Sequence, residues 1–132
     1  MIDLDTIARL LYLPGAPMAG CELTNDEALA WISNQILLKP YCLVRHWIWL
    51  DLNMSDSALQ ELQESGRKPA MLYAGQVIFD SKRRFEPGRW VRSTPLVSFS
   101  DKCLFETANT VYVLLGVGSR KTTELSAIIK IF

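Results

Sequence analysis

The sequence is poor in the residues that most often build metal sites and nucleophilic active sites. It contains one histidine, His46, and three widely spaced cysteines, Cys21, Cys42 and Cys103. A structural zinc ion normally takes four cysteine or histidine ligands, and a serine or cysteine nucleophile usually needs a histidine base. On a predicted strand, Cys42 and His46 lie on one face but about 13 Å apart, too far to share an ion. We therefore predict no metal, no cofactor and no catalytic residue, with His46 hydrogen-bonded in or near the core.

Loop motifs that cradle phosphate or present a nucleophile are also missing. The chain has no Gly-x-Ser-x-Gly elbow. Residues 116–123 follow a predicted strand and contain two glycines, but the glycine spacing does not fit a P-loop, and Arg120 stands before Lys121. We predict a basic hairpin turn there.

Long apolar runs and a secretory start are absent as well. No run approaches the ~18 apolar residues that cross a bilayer, and the acidic start at residues 1–5 does not resemble a signal peptide. These absences predict a cytoplasmic protein with no membrane partner. Because thiols stay reduced in the cytoplasm, we expect all three cysteines to be free, small and buried.

What the sequence does have is a composition suited to one folded unit and an uneven charge distribution. The 132 residues, 49% of them hydrophobic, predict a single α+β domain over residues 1–132. Residues 1–66 hold nine acids and three bases (−6), and residues 67–132 hold five acids and eleven bases (+6). This layout indicates an acidic helical half that neutralises a basic sheet half, or a surface used for binding.

The first half is predicted to be mainly helical, with one long strand. A short helix carries Leu10 and ends at Pro14-Gly15, and a loop at residues 16–20 follows. Thr24 to Glu27 has the form of a capping box that opens a second helix, and a third helix starts near Ser55. Residues 41–52 alternate too strictly for a helix and are apolar on both faces, which predicts a central strand. The residues predicted for the core are Leu29, Ile48, Leu50, Val111 and Val113.

The second half is predicted to consist of strands and tight turns. A turn at Glu86-Pro87-Gly88-Arg89 and a two-residue hairpin at Ala108-Asn109, with Asn109 at positive φ, separate these strands. The predicted strands are residues 71–79, 90–99 (bent at Pro95), 103–107, 110–115 and 125–132. The fold class is therefore α+β, with N-terminal helices packed on a strongly bent antiparallel sheet or a small SH3-like barrel in the C-terminal half.

Two stretches carry a family resemblance. Residues 80–97 (DSKRRFEPGRWVRSTPLV) and 105–116 (FETANTVYVLLG) resemble a family of uncharacterised small proteins of pseudomonads and related bacteria, a domain of unknown function. The resemblance covers roughly the C-terminal half. It implies a bacterial source and brings no activity, ligand or site residue.

The strongest candidate for a site is a basic, aromatic segment. Such a mixture neutralises phosphates and stacks on bases, but it also forms protein hot spots or an ordinary solvated turn. The candidate partner-binding residues are Lys82, Arg83, Arg84, Arg89, Trp90 and Arg92.

Three functions follow, in order of preference. The first is a non-enzymatic protein-interaction module, by analogy a bacterial inhibitor, immunity or anti-defence protein. The alternative is a small-barrel nucleic-acid-binding protein, which the zero net charge disfavours. The third is an unrecognised enzyme. The expected partner is another protein, with nucleic acid possible.

Overall fold

A computed structural model describes residues 4–13, 15–35 and 37–131. The helices are α1 (Leu4–Tyr12), α2 (Asn25–Ser33), α3 (Asp56–Glu64) and α4 (Leu125–Ile131). The strands are β1 (Ala16–Ala19), β2 (Tyr41–Asn53), β3 (Ala70–Asp80), β4 (Val91–Arg92), β5 (Leu96–Ser100), β6 (Leu104–Thr107), β7 (Val111–Leu114) and β8 (Val117–Glu124). None of the helices within these ranges is long and apolar enough to cross a membrane.

The three predicted helices are confirmed, and local capping explains two of their starts. The Oγ1 of Thr24 accepts from the Glu27 backbone N–H (3.1 Å), while a Glu27 carboxylate oxygen accepts from the Thr24 N–H (3.0 Å). Ser55 caps α3 by accepting from the Ala58 N–H. After α3, Gly66 takes a φ of 80°, a conformation that glycine adopts without penalty. Pro14, at the predicted end of the first helix, lies outside the described residues.

Strand β2 is central, as predicted, because both of its edges are paired. β3 runs antiparallel along one edge. Along the other edge, β7 pairs in parallel with residues 41–44 and β8 pairs in parallel with residues 48–53. β7 and β8 follow each other along this edge with a register shift between them, where Gly116 has a φ of 72°.

Both faces of β2 are covered by apolar side chains. Trp47 and Trp49 belong to the larger core cluster, which includes residues of α2, β3 and β5–β7, while Ile48, Leu50 and Leu52 belong to a smaller one with α1 and α4. The predicted core residues Ile48, Leu50, Val111 and Val113 are buried, and Leu29 packs partly buried against the larger cluster.

His46 departs from the prediction. Its φ of 55° interrupts the alternation of β2, and its side chain is exposed rather than in or near the core. Cys42 and Val44, predicted to share a face with Ile48, instead belong to the cluster of Trp47 and Trp49, and so does Leu43 between them. Strict alternation cannot continue through a residue with positive φ, and the sequence carries no clear sign of this one.

The sheet also differs from the prediction. Over residues 4–13, 15–35 and 37–131 it has eight strands in mixed orientation, which do not close into an SH3-like barrel. β1 lies in the predicted loop 16–20 and β8 in the predicted turn 116–123, whereas α4 replaces the predicted strand 125–132. β8 was missed because its sequence, VGSRKTTE, is polar and it joins the sheet through backbone pairing with β1 and β2.

The predicted hairpin between β6 and β7 is confirmed, but its turn is stabilised differently from the prediction. Thr107 and Thr110 close it through a backbone hydrogen bond of 2.8 Å. Asn109 does not take a positive φ. Instead, Thr107 Oγ1 accepts from the backbone N–H groups of Asn109 and Thr110, so a side chain supplies the acceptor for the tight turn.

Two of the cysteines form a disulfide, which corrects the expectation of three free thiols. Cys21 and Cys103 are bonded (S–S 1.99 Å), and only Cys42, which is buried, is free. The bond joins the segment after β1 to the residue just before β6. Both cysteines also hydrogen-bond to Leu114 of β7, since Cys21 N–H donates to its carbonyl and Cys103 accepts from its N–H. The backbone therefore holds the two sulfurs close together.

Candidate functional site

The predicted basic segment forms an ordered loop between β3 and β4, residues 81–90, which we call the basic loop. Its base is closed by β-type hydrogen bonds: Val77 N–H donates to Arg89 O (2.7 Å), and Gly88 N–H donates to Val77 O (2.8 Å). Beyond these bonds, Tyr73 pairs with Arg92 and Ala74 with Val91 in the β3–β4 ladder. The loop is thus an extension of a hairpin.

The basic loop contains two turns, and the second of them is the turn predicted at Glu86-Pro87-Gly88-Arg89. Arg83 N–H donates to Asp80 O (3.0 Å), and Arg83 itself has a φ of 54°. At the second turn, Arg89 N–H donates to Glu86 O (3.1 Å), and Gly88 has a φ of 88°. Two closed turns in a short segment limit its conformational freedom, so its exposed side chains project from a fixed backbone.

The buried carboxylate of Asp80, at the end of β3, anchors the loop. The Asp80 side chain is fully buried and accepts from Arg84 three times, from Nε (3.0 Å), Nη2 (2.7 Å) and the backbone N–H (2.7 Å). Arg84 Nη1 also donates to Thr110 Oγ1 (2.8 Å). Arg84 is therefore a structural residue of the loop, which the prediction of a partner-binding role had not foreseen.

The charges of this pair depend on each other. Burial pushes the pKa of Asp80 upward, but the hydrogen bonds and positive charge of Arg84 outweigh it, so that the Asp80 pKa lies below its ordinary value. The hydrogen bonds to Asp80 in turn raise the pKa of Arg84. Both groups are consequently charged across the neutral range.

The nearby thiol of Cys42 and phenol of Tyr112 are buried. Burial, with a smaller contribution from the Asp80 carboxylate, raises the pKa of Cys42 to about 12, and burial raises the pKa of Tyr112 to about 12. A thiol with such a pKa is not a thiolate near neutral pH, and only the thiolate is an effective nucleophile or metal ligand. Within the described part of the chain, no group of three or more histidine, cysteine or acidic residues is placed to hold a metal ion.

The remaining predicted residues face outward or flank the loop. Lys82, Arg83 and Arg89 are exposed, and Arg92 is half-buried in β4. Trp90 is 50% exposed and stacks on Tyr73, with ring centroids 6.1 Å apart and an interplanar angle of 24°. A partner can therefore approach all six predicted residues, but Arg84 differs from the others because its guanidinium is already engaged by Asp80 and Thr110.

Two clefts of about 350 Å³ each flank Phe85 and Glu86 of the loop. The first is lined by Arg84, Phe85, Glu86, Arg89 and Trp90. Within this cleft, the guanidinium of Arg84 lies 5.1 Å from the centre of the Phe85 ring. A cleft lined by arginine and aromatic side chains can bind a carboxylate-bearing group. Glu86, in the same lining, reduces the net positive charge of the cleft.

Sequence reasoning did not single out Asp80 and Tyr73. The i, i+4 spacing of Asp80 and Arg84 was a usable signal for the anchor, although the two residues are in a turn and not in a helix. No local signal connects Tyr73 to Trp90, because their contact depends on the register of the β3–β4 hairpin.

A family model described as a domain of unknown function, DUF6957, matches residues 18–130. The chain belongs to this family. The match extends over nearly the whole chain rather than the C-terminal half alone. No curated protein and no solved structure matches the chain.

Proposed function

We propose that this DUF6957 protein is a non-enzymatic interaction module that binds an acidic surface of another protein through the basic loop and the adjoining Arg92. The observation that carries the proposal is the half-exposed Trp90, held flat on Tyr73 and flanked in sequence by Arg89 and Arg92. Tryptophan, tyrosine and arginine are the residues most enriched in protein hot spots.

The rigidity of the loop supports this proposal. Binding through a mobile loop loses affinity because the loop must be ordered on association. Here the Asp80–Arg84 pair and two turns order the loop before a partner arrives. A small, preorganised binding surface is what an inhibitor or immunity protein requires, and we include that role in the proposal.

The charge of the surface identifies the kind of partner. Lys82, Arg83 and Arg89 are exposed on one short loop, so an acidic patch complements them and accelerates encounter. A nucleic acid would meet the same cations. We favour a protein because the chain has no net charge, whereas nucleic-acid-binding domains are usually basic overall.

The test is a charge reversal with a matched control. The double variant Arg83→Glu/Arg89→Glu changes the loop and leaves the Asp80–Arg84 anchor intact. The control, Lys68→Glu/Lys102→Glu, makes the same change in net charge at two exposed lysines outside the loop. Each protein is used as bait in a bacterial lysate, with and without nuclease, and captured partners are identified by mass spectrometry.

We expect the wild type and the control to retain one nuclease-resistant protein partner that the loop variant loses. If the loop variant retains it equally well, the proposal is wrong. Loss of the captured material after nuclease treatment, together with a steep decline of binding with salt, would support the nucleic-acid alternative instead.

A further inference from the structure

A second surface lies next to the basic loop and is apolar. It is a groove of about 370 Å³ between the end of α1, the irregular middle of β2 and the start of β8. We call it the apolar groove. The lining residues that matter here are Tyr12, Leu13, His46, Trp47, Tyr73 and Val117.

The groove exposes large apolar side chains that are not needed for the core. Tyr12 is 79% exposed, Leu13 is 56% exposed and Val117 is 66% exposed. Its floor includes Trp47, over which the backbone of β8 passes so closely that a Cβ on Gly118 would lie 2.3 Å from the ring. Clustered exposed apolar groups of this kind commonly mark a binding site.

The groove and the basic loop meet at Tyr73. Tyr73 lines the groove and also stacks on Trp90 of the loop. Arg92 pairs with Tyr73 across the β3–β4 ladder, so a cation flanks the junction of the two surfaces. Among the described residues, those that line the groove include no carboxylate. A partner chain that continues from the basic loop into the groove therefore meets no carboxylate among these lining residues.

We infer that the apolar groove receives one large apolar side chain of the same acidic partner segment that binds the basic loop. This inference rests on the proposed function and adds the chemistry of the partner: carboxylates on the loop beside one aromatic or leucine-sized anchor in the groove. The volume lies within the range of about 300–1,000 Å³ that is usual for binding pockets. An apolar centre beside a polar rim is the common arrangement of protein interfaces.

A selection from a random displayed peptide library tests the inference with a defined probe. The bait is the full chain in three forms: wild type, the groove variant Tyr12→Ala/Val117→Glu, and the loop variant Arg83→Glu/Arg89→Glu. All four substituted side chains are exposed, so each variant is expected to keep the wild-type fold, which circular dichroism and thermal melting verify.

We expect wild-type protein to select peptides with several acidic residues and one aromatic or large aliphatic residue at a fixed spacing. The groove variant should bind the selected peptide about tenfold more weakly. Replacing the peptide's apolar residue by alanine should weaken binding to the wild type by a similar factor and have little further effect on the groove variant. Leu38→Ala, which truncates a fully exposed apolar residue outside the groove, should leave the affinity unchanged.

The outcomes separate the two proposals. An acidic consensus that lacks a fixed apolar residue, and that the groove variant binds like the wild type, overturns the groove inference and leaves the loop proposal standing. A consensus that the loop variant binds as strongly as the wild type overturns the loop proposal. Selection of basic peptides, or of none, overturns both.

Discussion

The β2–β3 ladder and the basic loop belong to one continuous part of the chain, yet different forces hold them. In the ladder, apolar residues on both faces of β2 are buried in two clusters, so the stabilisation is distributed over many side chains. In the loop, most side chains are exposed, and one buried carboxylate, Asp80, organises the backbone. The comparison indicates that exposed residues of the loop can be substituted, and so adapted to a partner, without loss of the fold. This holds as long as the Asp80–Arg84 pair and the ladder remain intact.

The largest effect on the framework should come from its disulfide. Replacing both Cys21 and Cys103 by serine removes a cross-link between residues 82 positions apart, which in the chain-entropy model contributes about 4.5 kcal/mol to the free energy of unfolding. Because both residues also hydrogen-bond to Leu114, the fold should persist. Urea denaturation of the wild type, with and without reductant, and of the double variant measures the difference. The prediction is wrong if reductant leaves the wild-type midpoint unchanged, and reductant should have no effect on the double variant.

A core truncation in β2 tests whether buried apolar side chains stabilise the β2–β3 ladder. Leu50 is fully buried in the smaller cluster, so Leu50→Ala should lower the free energy of unfolding by about 3–4 kcal/mol through lost burial and the cavity left behind. Leu38→Ala, at a fully exposed leucine, is the control and should change it by less than about 0.5 kcal/mol. Equal effects of the two substitutions in chemical denaturation would contradict the assignment of β2 to the core.

The anchor of the loop should be nearly as important as a core residue. Asp80→Ala leaves Arg84 without its main acceptor and should destabilise the protein by about 3 kcal/mol, the lower end of the range for breaking a buried pair. We choose the lower end because the Arg84 side chain is 32% exposed and can regain water. Glu106→Ala is the control, since the Glu106 carboxylate is 35% exposed and its partner Lys39 also donates to the Thr107 carbonyl, so the loss should be at most about 1 kcal/mol. If the two variants unfold at the same denaturant concentration, Asp80 is not a special anchor.

The same anchor should make stability depend on pH in the acid range. The pKa of Asp80 is lower in the folded protein than the value of about 3.9 expected in the unfolded chain. Its stabilisation is therefore complete above that value and is lost as the pH falls through the folded-state pKa. We expect the difference in unfolding free energy between the wild type and Asp80→Asn to be constant near neutral pH and to shrink below about pH 4. If this difference in unfolding free energy instead grows on acidification, the predicted pH dependence is wrong.

The smallest effect on stability is expected at an exposed arginine of the loop. Arg83 is exposed, so Arg83→Gln should change the free energy of unfolding by less than about 0.5 kcal/mol. Chemical denaturation provides the measurement, and Arg84→Gln, which loses the bonds to Asp80, is the comparison variant. A large loss for Arg83→Gln would show that this residue stabilises the loop and would weaken the case for its role in binding.

The candidate site was found from sequence because its features are local. Proline and glycine at Pro87 and Gly88 predicted a turn, and the cluster of basic residues is visible in the sequence itself. What the sequence could not separate was Arg84 from Arg83, since their roles depend on whether a buried acceptor lies within reach. The apolar groove was missed entirely, because its lining residues come from α1, β2, β3 and β8 and meet only in the folded chain.

The sequence by itself determined the first three helices, the central position of β2, the β6–β7 hairpin and the turn at Pro87-Gly88 of the basic loop. Each of these depends on capping, alternation or turn chemistry within a few neighbouring residues. The tertiary structure decided the rest. A polar strand such as β8 is stabilised by backbone pairing with a distant strand, and the short apolar run at residues 125–131 suits a helix or a strand equally until its neighbours are in place. The disulfide likewise exists because β7 brings Cys21 and Cys103 together, which no local pattern in the sequence encodes.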